Sequence, residues 1–184
     1  MSSYLTKRAL EESFKRQLAK KPLAKITIAD ITEDCQISRM TFYYHFNDIY
    51  DLVEWSLEED AKRAIAGSKT FETWQEGYLG TLCELRENKT FITAIYREIS
   101  RERVERFLLP ATRGLIENVV QEHPDAETVS KRDQSFIADF FAHALCGITL
   151  EWIGEGMVES PKAMMERVSK VMEGTIGNAL SRFR

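Results

Sequence analysis

The stretch ITIADITEDCQISRMTFYYHF, residues 26–46, constrains the fold of this chain more than any other segment. Thr27 and Asp30 have the spacing of a helical capping box, and apolar residues three and four apart follow. Ser38 is suited to cap a second short helix that runs to His45. The stretch therefore predicts two helices joined by a tight turn, which is the pattern of a helix-turn-helix.

The second helix of this motif carries side chains that are poorly explained as core. Phe42 and Phe46 are four residues apart and are expected to pack inward, which turns the rest of the helix outward. Arginine binds guanine with two hydrogen bonds, the threonine methyl group contacts thymine, and hydroxyls donate to phosphate oxygens. We therefore predict a recognition helix in which Arg39 and Thr41 contact bases of double-stranded DNA.

Further residues are predicted to bind DNA around these two. Phosphate positioning is assigned to Thr27, Tyr43, Tyr44 and His45. For Lys25, phosphate contact and a solvated basic surface remain open, and for His45 ordinary packing is the alternative. The complete predicted DNA-binding set is Lys25, Thr27, Ser38, Arg39, Met40, Thr41, Tyr43, Tyr44 and His45.

The same segment resembles the TetR/AcrR-type transcriptional regulators. The resemblance rests on T-I-x-D-I from Thr27, on I-S-R-x-T-F-Y-Y-H-F from Ile37, and on a D-L at residues 51–52, and it covers residues 5–66. It implies a homodimer that binds a palindromic operator, with a C-terminal domain that binds a small-molecule effector. The variant F-x-D-I-Y-D-L at the end of the match is similar to a subgroup that includes regulators of dihydroxyacetone kinase operons.

Two positions depart from the family pattern. Gln36 stands where the family usually has a glycine in the turn, so the turn is expected to hold a non-glycine residue at a conformational cost. Ile49 stands where the family commonly has a lysine that contacts phosphate. That phosphate contact is therefore not expected here.

Composition and charge agree with a helical, two-part protein. The 184 residues include only 9 Gly and 4 Pro, which favours an all-α fold of about nine helices. We predict a three-helix helix-turn-helix DNA-binding domain at 1–47, a connecting helix at 48–67, and a C-terminal ligand-binding and dimerisation domain at 68–184.

The charge is distributed unevenly along the chain. Residues 1–47 carry a net charge of +3 and residues 48–184 a net charge of −7. This asymmetry is typical of a DNA-binding domain attached to one that does not bind DNA.

The C-terminal part contains two long helical segments with surplus apolar surface. Residues 130–155 are apolar on more than one face, and a last helix is predicted from Ser160 towards Phe183. Two such helices fit a homodimeric four-helix interface. The residues predicted to form that interface are Ile148, Trp152, Val171, Thr175 and Gly177.

An effector pocket follows only from the resemblance. Its candidate lining residues are the aromatic side chains of the C-terminal part, although aromatic residues at helical spacing are more often core. These candidates are Trp74, Tyr78, Tyr96, Phe140 and Trp152. No acidic or basic cluster in this region identifies a particular ligand.

Several classes of protein are not expected from this sequence. No apolar run reaches a membrane span, and the three widely spaced cysteines are interpreted as reduced thiols in the cytoplasm. No nucleophile–base pattern predicts an enzyme, and no cofactor motif is found. His143 and Cys146 could begin a metal site, but two core side chains with their hydrogen bonds satisfied are favoured.

The predicted function is a homodimeric repressor released by a small molecule. The alternative is an activator or co-regulator whose C-terminal domain binds a protein partner.

Overall fold

The computed structural model describes residues 3–64, 73–99 and 101–184, and every regular element within them is helical. The predicted all-α fold class is therefore confirmed. Two short 3-10 turns, Leu23–Lys25 and Pro124–Thr128, connect helices. The α-helices in chain order are α1 (Ser3–Leu18), α2 (Ile28–Asp34), α3 (Arg39–His45), α4 (Ile49–Ala64), α5 (Trp74–Glu87), α6 (Lys89–Glu98), α7 (Arg101–Glu122), α8 (Lys131–Gly154), α9 (Pro161–Met172) and α10 (Thr175–Ser181).

Helices α8 and α9 begin where the sequence predicts, and α8 also ends as predicted, but the last helix does not run on towards Phe183 without a break. The Ser130 hydroxyl caps α8, and the Ser160 hydroxyl accepts from the backbone N–H of Ala163 with Pro161 as the first residue of α9. The single last helix that was predicted is instead two helices. Gly174 has φ +70°, a left-handed conformation that ends α9 and lets α10 start in a new direction.

Helices α1, α2 and α3 pack together, and α1 also packs on α4. Phe14 and Phe42 are fully buried in this part of the core. The buried Ser13 hydroxyl donates to the backbone carbonyl of Ile31 over 2.9 Å, which fixes α1 against α2. The motif is therefore held on its inner side by both apolar packing and a buried hydrogen bond.

The C-terminal part is built on the long pair α7 and α8, which form the most extensive helix contact in the described chain. The short turn between them makes α8 run back along α7. Helix α5 packs on α4, α7 and α9, and α10 packs on α8. The predicted domain boundary near residues 67–68 lies outside the described residues, so the division into 1–47, 48–67 and 68–184 stays a prediction.

A buried ionic network joins α1 to α4. Glu11 is only 1% exposed, and its carboxylate accepts from Lys15 Nζ at 2.8 Å, from the Ser56 hydroxyl at 2.9 Å and from Arg8. Lys15 Nζ also lies 2.9 Å from the buried carboxylate of Asp60 in α4. Lys15 thus neutralises one buried carboxylate on each helix.

Helix α8 also has the length and composition of a membrane span. It is the one helix of the described chain that meets this test, and half of its most apolar window is buried inside the protein. A core helix passes the same test, so the feature by itself is weak evidence for a membrane segment.

Candidate nucleic-acid interface

The start of α2 is fixed by the capping box that the sequence predicts. The Asp30 backbone N–H donates to the Thr27 hydroxyl over 3.2 Å, and the Thr27 backbone N–H donates to the Asp30 carboxylate over 2.7 Å. Lys21 Nζ lies 2.7 Å from the same carboxylate. These contacts, led by Lys21, hold the pKa of Asp30 far below its ordinary value. The Asp30 carboxylate of this cap is therefore ionised at neutral pH and remains so in mildly acidic solution.

The turn between α2 and α3 contains a strained residue. Gln36 has φ +56°, in the left-handed region that glycine occupies without cost. Its backbone N–H donates to the Glu33 carbonyl over 3.1 Å, and the Ile37 N–H donates to the Thr32 carbonyl over 3.0 Å. These bonds close the turn and keep Gln36 in this conformation.

We expect Gln36→Gly to stabilise the protein by about 1 kcal/mol, because it removes left-handed strain that outweighs the extra freedom of glycine in the unfolded chain. Guanidinium unfolding should show a higher midpoint with an unchanged slope. The matched control Glu33→Gly, on the exposed side of α2, should instead destabilise the protein by about 1 kcal/mol. A destabilised Gln36→Gly variant would contradict the strain assigned to this turn.

Helix α3, the predicted recognition helix, presents a set of exposed large side chains. The Ser38 hydroxyl caps the helix by accepting from the Thr41 N–H over 3.1 Å, while Phe42 is fully buried on the inner face. Tyr44 is 83% exposed and Met40 is 78% exposed. Arg39, at the first position of α3, is also exposed, and within the described residues its guanidinium makes no ion pair. These groups are available to a ligand.

The predicted DNA-binding residues fall into two groups. Lys25, Arg39, Met40, Tyr43 and Tyr44 are exposed. The other four make polar or ring contacts within the protein. The Thr27 hydroxyl donates to Asp30, and the Ser38 and Thr41 hydroxyls are 2.9 Å apart. The half-buried ring of His45 contacts Tyr44. Thr27 and Ser38 are also exposed, but their hydroxyls serve the helix caps, so the first group is the stronger candidate for direct contact.

The start of α4 carries no cation of its own. Ile49 is half-buried and packs against the core. The Asp48 carboxylate accepts from the Asp51 N–H over 2.8 Å, and the Asp51 carboxylate accepts from the Asn47 N–H over 2.9 Å. This turn is capped by its own acidic side chains, which leaves it with negative charge.

Glu98, the last residue of α6, has a role that the sequence analysis missed. Its carboxylate accepts from the backbone N–H of Leu23 over 3.1 Å and from that of Ala24 over 2.9 Å. These residues begin the 3-10 turn that ends at Lys25 and precedes the capping box. The C-terminal part is thereby bonded directly to the segment that leads into the motif. No local sequence signal marks such a contact, because its partners are 74 and 75 residues apart.

An apolar cavity lies among α4, α5, α6, α7 and α8. Its volume is about 30 Å³, which is room for about two water molecules. Its polar lining consists of Asp60, Thr81, Glu84 and Asn88, and its apolar lining consists of Leu57, Leu85, Ile92, Ile95, Val104, Leu108 and Ile153. We call this space the apolar slot. In this conformation it is too small for a drug-sized ligand.

None of the five aromatic residues predicted to line a pocket lines the apolar slot. Tyr78 and Trp152 are core residues: the Tyr78 hydroxyl bonds with Thr149 and the Trp152 ring N–H donates to the Glu159 carbonyl. Tyr96 packs beside Gly154, and Phe140 is 65% exposed on α8. Trp74 lines a separate open groove of about 550 Å³. The predicted aromatics are therefore not gathered into one pocket.

The residues predicted to form a dimer interface are also divided. Ile148 and Val171 are exposed, and Thr175 is half-buried. Trp152 is 4% exposed within its own chain. A Cβ on Gly177 would meet His123 Nε2 at 2.9 Å, so this glycine serves a close approach inside the chain. Trp152 and Gly177 thus have intrachain roles that the sequence analysis did not anticipate.

Helix α8 exposes a row of apolar side chains on its outer side. Phe136, Phe140 and Ile148 are exposed at spacings of four and eight residues, which places them on one face. Phe183, at the end of the chain, contacts the Phe136 ring with 6.4 Å between centroids and is itself exposed. We call these four residues the α8 face.

The thiols and histidines show no arrangement for catalysis or metal binding. Burial raises the pKa of Cys146 to about 11 and also raises that of Cys35, which disfavours a nucleophilic thiolate. His143 is exposed and bonds to the Asp139 carbonyl, so it is not the core partner of Cys146 that was favoured. In the described residues no three His, Cys, Asp or Glu side chains are grouped as metal ligands.

Comparison with known proteins agrees with this architecture. The family described as "Transcriptional regulator C-terminal region", of the TetR type, matches residues 72–174. The chain is 30% identical over 156 residues to the HTH-type dhaKLM operon transcriptional activator DhaS of Lactococcus lactis subsp. lactis (strain IL1403), which covers 84% of this chain and 82% of that protein.

Solved structures give the same result for the fold. The dihydroxyacetone kinase operon activator DhaS superposes with a TM-score of 0.75 at 25% identity, covering 95% of this chain and 97% of that one. The TetR family repressor AlkX from Dietzia sp. strain DQ12-45-1b superposes with a TM-score of 0.58 at 17% identity, covering 94% and 97%.

This chain belongs to the TetR family of transcriptional regulators. Its relatives are regulators and not enzymes, in agreement with the missing catalytic pattern. Regulators of this family bind DNA.

Proposed function

We propose that this chain is a homodimeric, sequence-specific DNA-binding regulator that acts in the cytoplasm. The observation that carries the proposal is α3, a capped helix with Arg39, Met40, Tyr43 and Tyr44 exposed around a single buried Phe42. Exposing so much apolar and aromatic surface is unfavourable unless a ligand covers it. A helix of this size fits the major groove, where Arg39 would read a base and the tyrosines would reach phosphates and base edges.

The α8 face supports the homodimer. Large apolar side chains in a row are covered in most proteins, and a twofold axis lets the same face on two copies cover itself. We therefore revise the predicted interface: Ile148 remains in it, Phe136, Phe140 and Phe183 enter it, and Trp152 and Gly177 leave it. Val171 and Thr175 lie on or near the outer surface of α9 and α10 and remain candidates.

The apolar slot supports effector control. Helix α6 lines the slot with Ile92 and Ile95 and ends at Glu98, which holds the turn before the motif. A small apolar effector that widens the slot would displace α6 and with it this turn. If the effector binds the widened state more tightly, it shifts the population of the dimer between two DNA affinities.

The direction of regulation is inferred from a named relative. Repression was expected from the sequence, but the relative that is 30% identical over most of the chain is named an operon activator. We therefore favour activation, with repression as the alternative. A transcription reporter with the operator upstream of a promoter distinguishes them: deletion of the regulator lowers expression for an activator and raises it for a repressor.

The role of Arg39 gives a direct test of base reading. We expect Arg39→Ala to cost about 1–3 kcal/mol per contact and to relax preference at one position of each half-site, because a bidentate base contact is lost. Binding to a panel of single-position operator variants measures this. Arg132→Ala, an exposed change in the first turn of α8, should leave the preference unaltered. Equal weakening by Arg39→Ala on every sequence would show a phosphate contact instead.

A further inference from the structure

The junction between α6 and α7 touches the N-terminal part of the chain at two separate points, one before the motif and one at the start of α4. Glu98, at the end of α6, holds the backbone N–H groups of Leu23 and Ala24. Arg103, in the first turn of α7, places its guanidinium carbon 5.5 Å from the centroid of the Tyr50 ring. Tyr50 is the second residue of α4 and follows the end of α3 by five positions. Arg103 therefore lies beside the turn that joins the recognition helix to α4.

Arg103 has the properties of an anion-binding side chain. It is exposed, and among the described residues no carboxylate is within ion-pair distance of its guanidinium. Contact with the face of an aromatic ring restricts the arginine side chain while its N–H edge remains available. The guanidinium is thus pre-oriented for a fork-like pair of hydrogen bonds to two anionic oxygens.

The charges around Arg103 favour a partner outside the protein. The start of α4 has Ile49 packed inward and carries the carboxylates of Asp48 and Asp51, both already used as backbone caps. A DNA strand that passes from α3 over the start of α4 would approach the carboxylates of Asp48 and Asp51, and the start of α4 has no cation to offset their charge. Arg103, supplied by the C-terminal part, places a positive charge at this position.

We propose that Arg103 binds a phosphate of the DNA backbone at the flank of each half-site, with Tyr50 as its support. This inference rests on the proposed DNA binding. The contact adds affinity without reading sequence, since phosphates carry none. It also makes the effector-sensing part of the chain a direct DNA contact, so movement of α6 and the start of α7 changes DNA affinity even when α3 keeps its orientation.

The salt dependence of binding tests this assignment. We would measure the affinity of wild type, Arg103→Gln, Arg103→Lys and Arg132→Gln for the preferred duplex over a range of KCl concentrations. Each phosphate contact contributes about 0.9 to the slope of log K against log salt, so Arg103→Gln should lower the slope of a dimer by about 1.8. Arg103→Lys should restore most of it. Arg132 lies beyond the far end of α7, which is about 29 Å from Arg103 along the helix axis, and its variant should match wild type.

The possible results distinguish three cases: a phosphate contact by Arg103, a purely structural role of Arg103, and failure of the proposed DNA binding. A purely structural Arg103 would give weaker binding with an unchanged slope, and this overturns the assignment. A loss of sequence preference in Arg103→Gln also overturns it, because a phosphate contact weakens all sequences equally. If wild type binds no duplex, the proposed function itself fails. If wild type binds and Arg103→Gln has the wild-type slope, only the Arg103 contact fails.

Discussion

Phe140→Asp is expected to convert the proposed dimer into monomers. Phe140 is 65% exposed near the middle of the α8 face, and a twofold interface would contain it twice. An unpaired carboxylate buried in that interface costs about 3 kcal/mol or more, which raises the dimer dissociation constant at least about 100-fold. Sedimentation velocity at micromolar concentration should show the mass of a single 184-residue chain.

The same variant should lose most of its affinity for a palindromic operator. Two linked recognition helices bind about 10²–10⁴-fold better than one, so a monomer retains only weak half-site binding. Val158→Asp is the matched control, because Val158 is an exposed apolar residue in the loop between α8 and α9, outside the α8 face. A Phe140→Asp protein that remains dimeric would place the interface on another surface.

Lys15→Met is expected to weaken the junction of α1 and α4 and to destabilise the protein. Methionine keeps the apolar stem but removes the charge between the carboxylates of Glu11 and Asp60. Each buried carboxylate loses one charged partner while Arg8 still pairs with Glu11 and Arg63 with Asp60, so the expected cost is about 1–3 kcal/mol. Urea unfolding should show the loss, while Lys162→Met, on the exposed surface of α9, should be near neutral.

A second variant separates the ionic mechanism from simple loss of packing. In Glu11→Gln/Lys15→Met the buried charge of Glu11 is also removed, so part of the lost stability should return. The two substitutions are then coupled, with a double-mutant energy of the sign expected for an attractive pair. Additive effects would show that the Lys15 charge does not stabilise Glu11, and that packing explains the cost.

The local features of the motif could be predicted from the sequence because they depend on neighbouring residues. The caps at Thr27 and Ser38 follow from residue types within four positions, whereas the strained turn at Gln36 was expected from the resemblance to the family. The exposure of α3 follows from the spacing of Phe42 and Phe46. The apolar slot and the contact of Glu98 could not be predicted in this way, because they join helices far apart in the chain.

The C-terminal predictions were weaker for a physical reason. Helix α8 is apolar on more than one face, and periodicity alone does not tell which face meets the core of its own chain. Phe140 was therefore assigned to a pocket although it lies on the surface, and Trp152 to an interface although it is buried. The single last helix became two because Gly174 adopts a left-handed conformation that composition alone does not reveal.

Selection of bound sequences from a random duplex library, at two salt concentrations, tests the DNA-binding function most directly. We expect an inverted repeat whose half-sites are about one helical turn apart and whose enrichment persists at the higher salt, since base contacts depend less on salt than phosphate contacts do. The recovered repeat would also serve as the operator for the Arg39 and Arg103 experiments. Recovery of no sequence, or of binding without sequence preference that disappears at the higher salt, would contradict a dimeric, base-reading regulator.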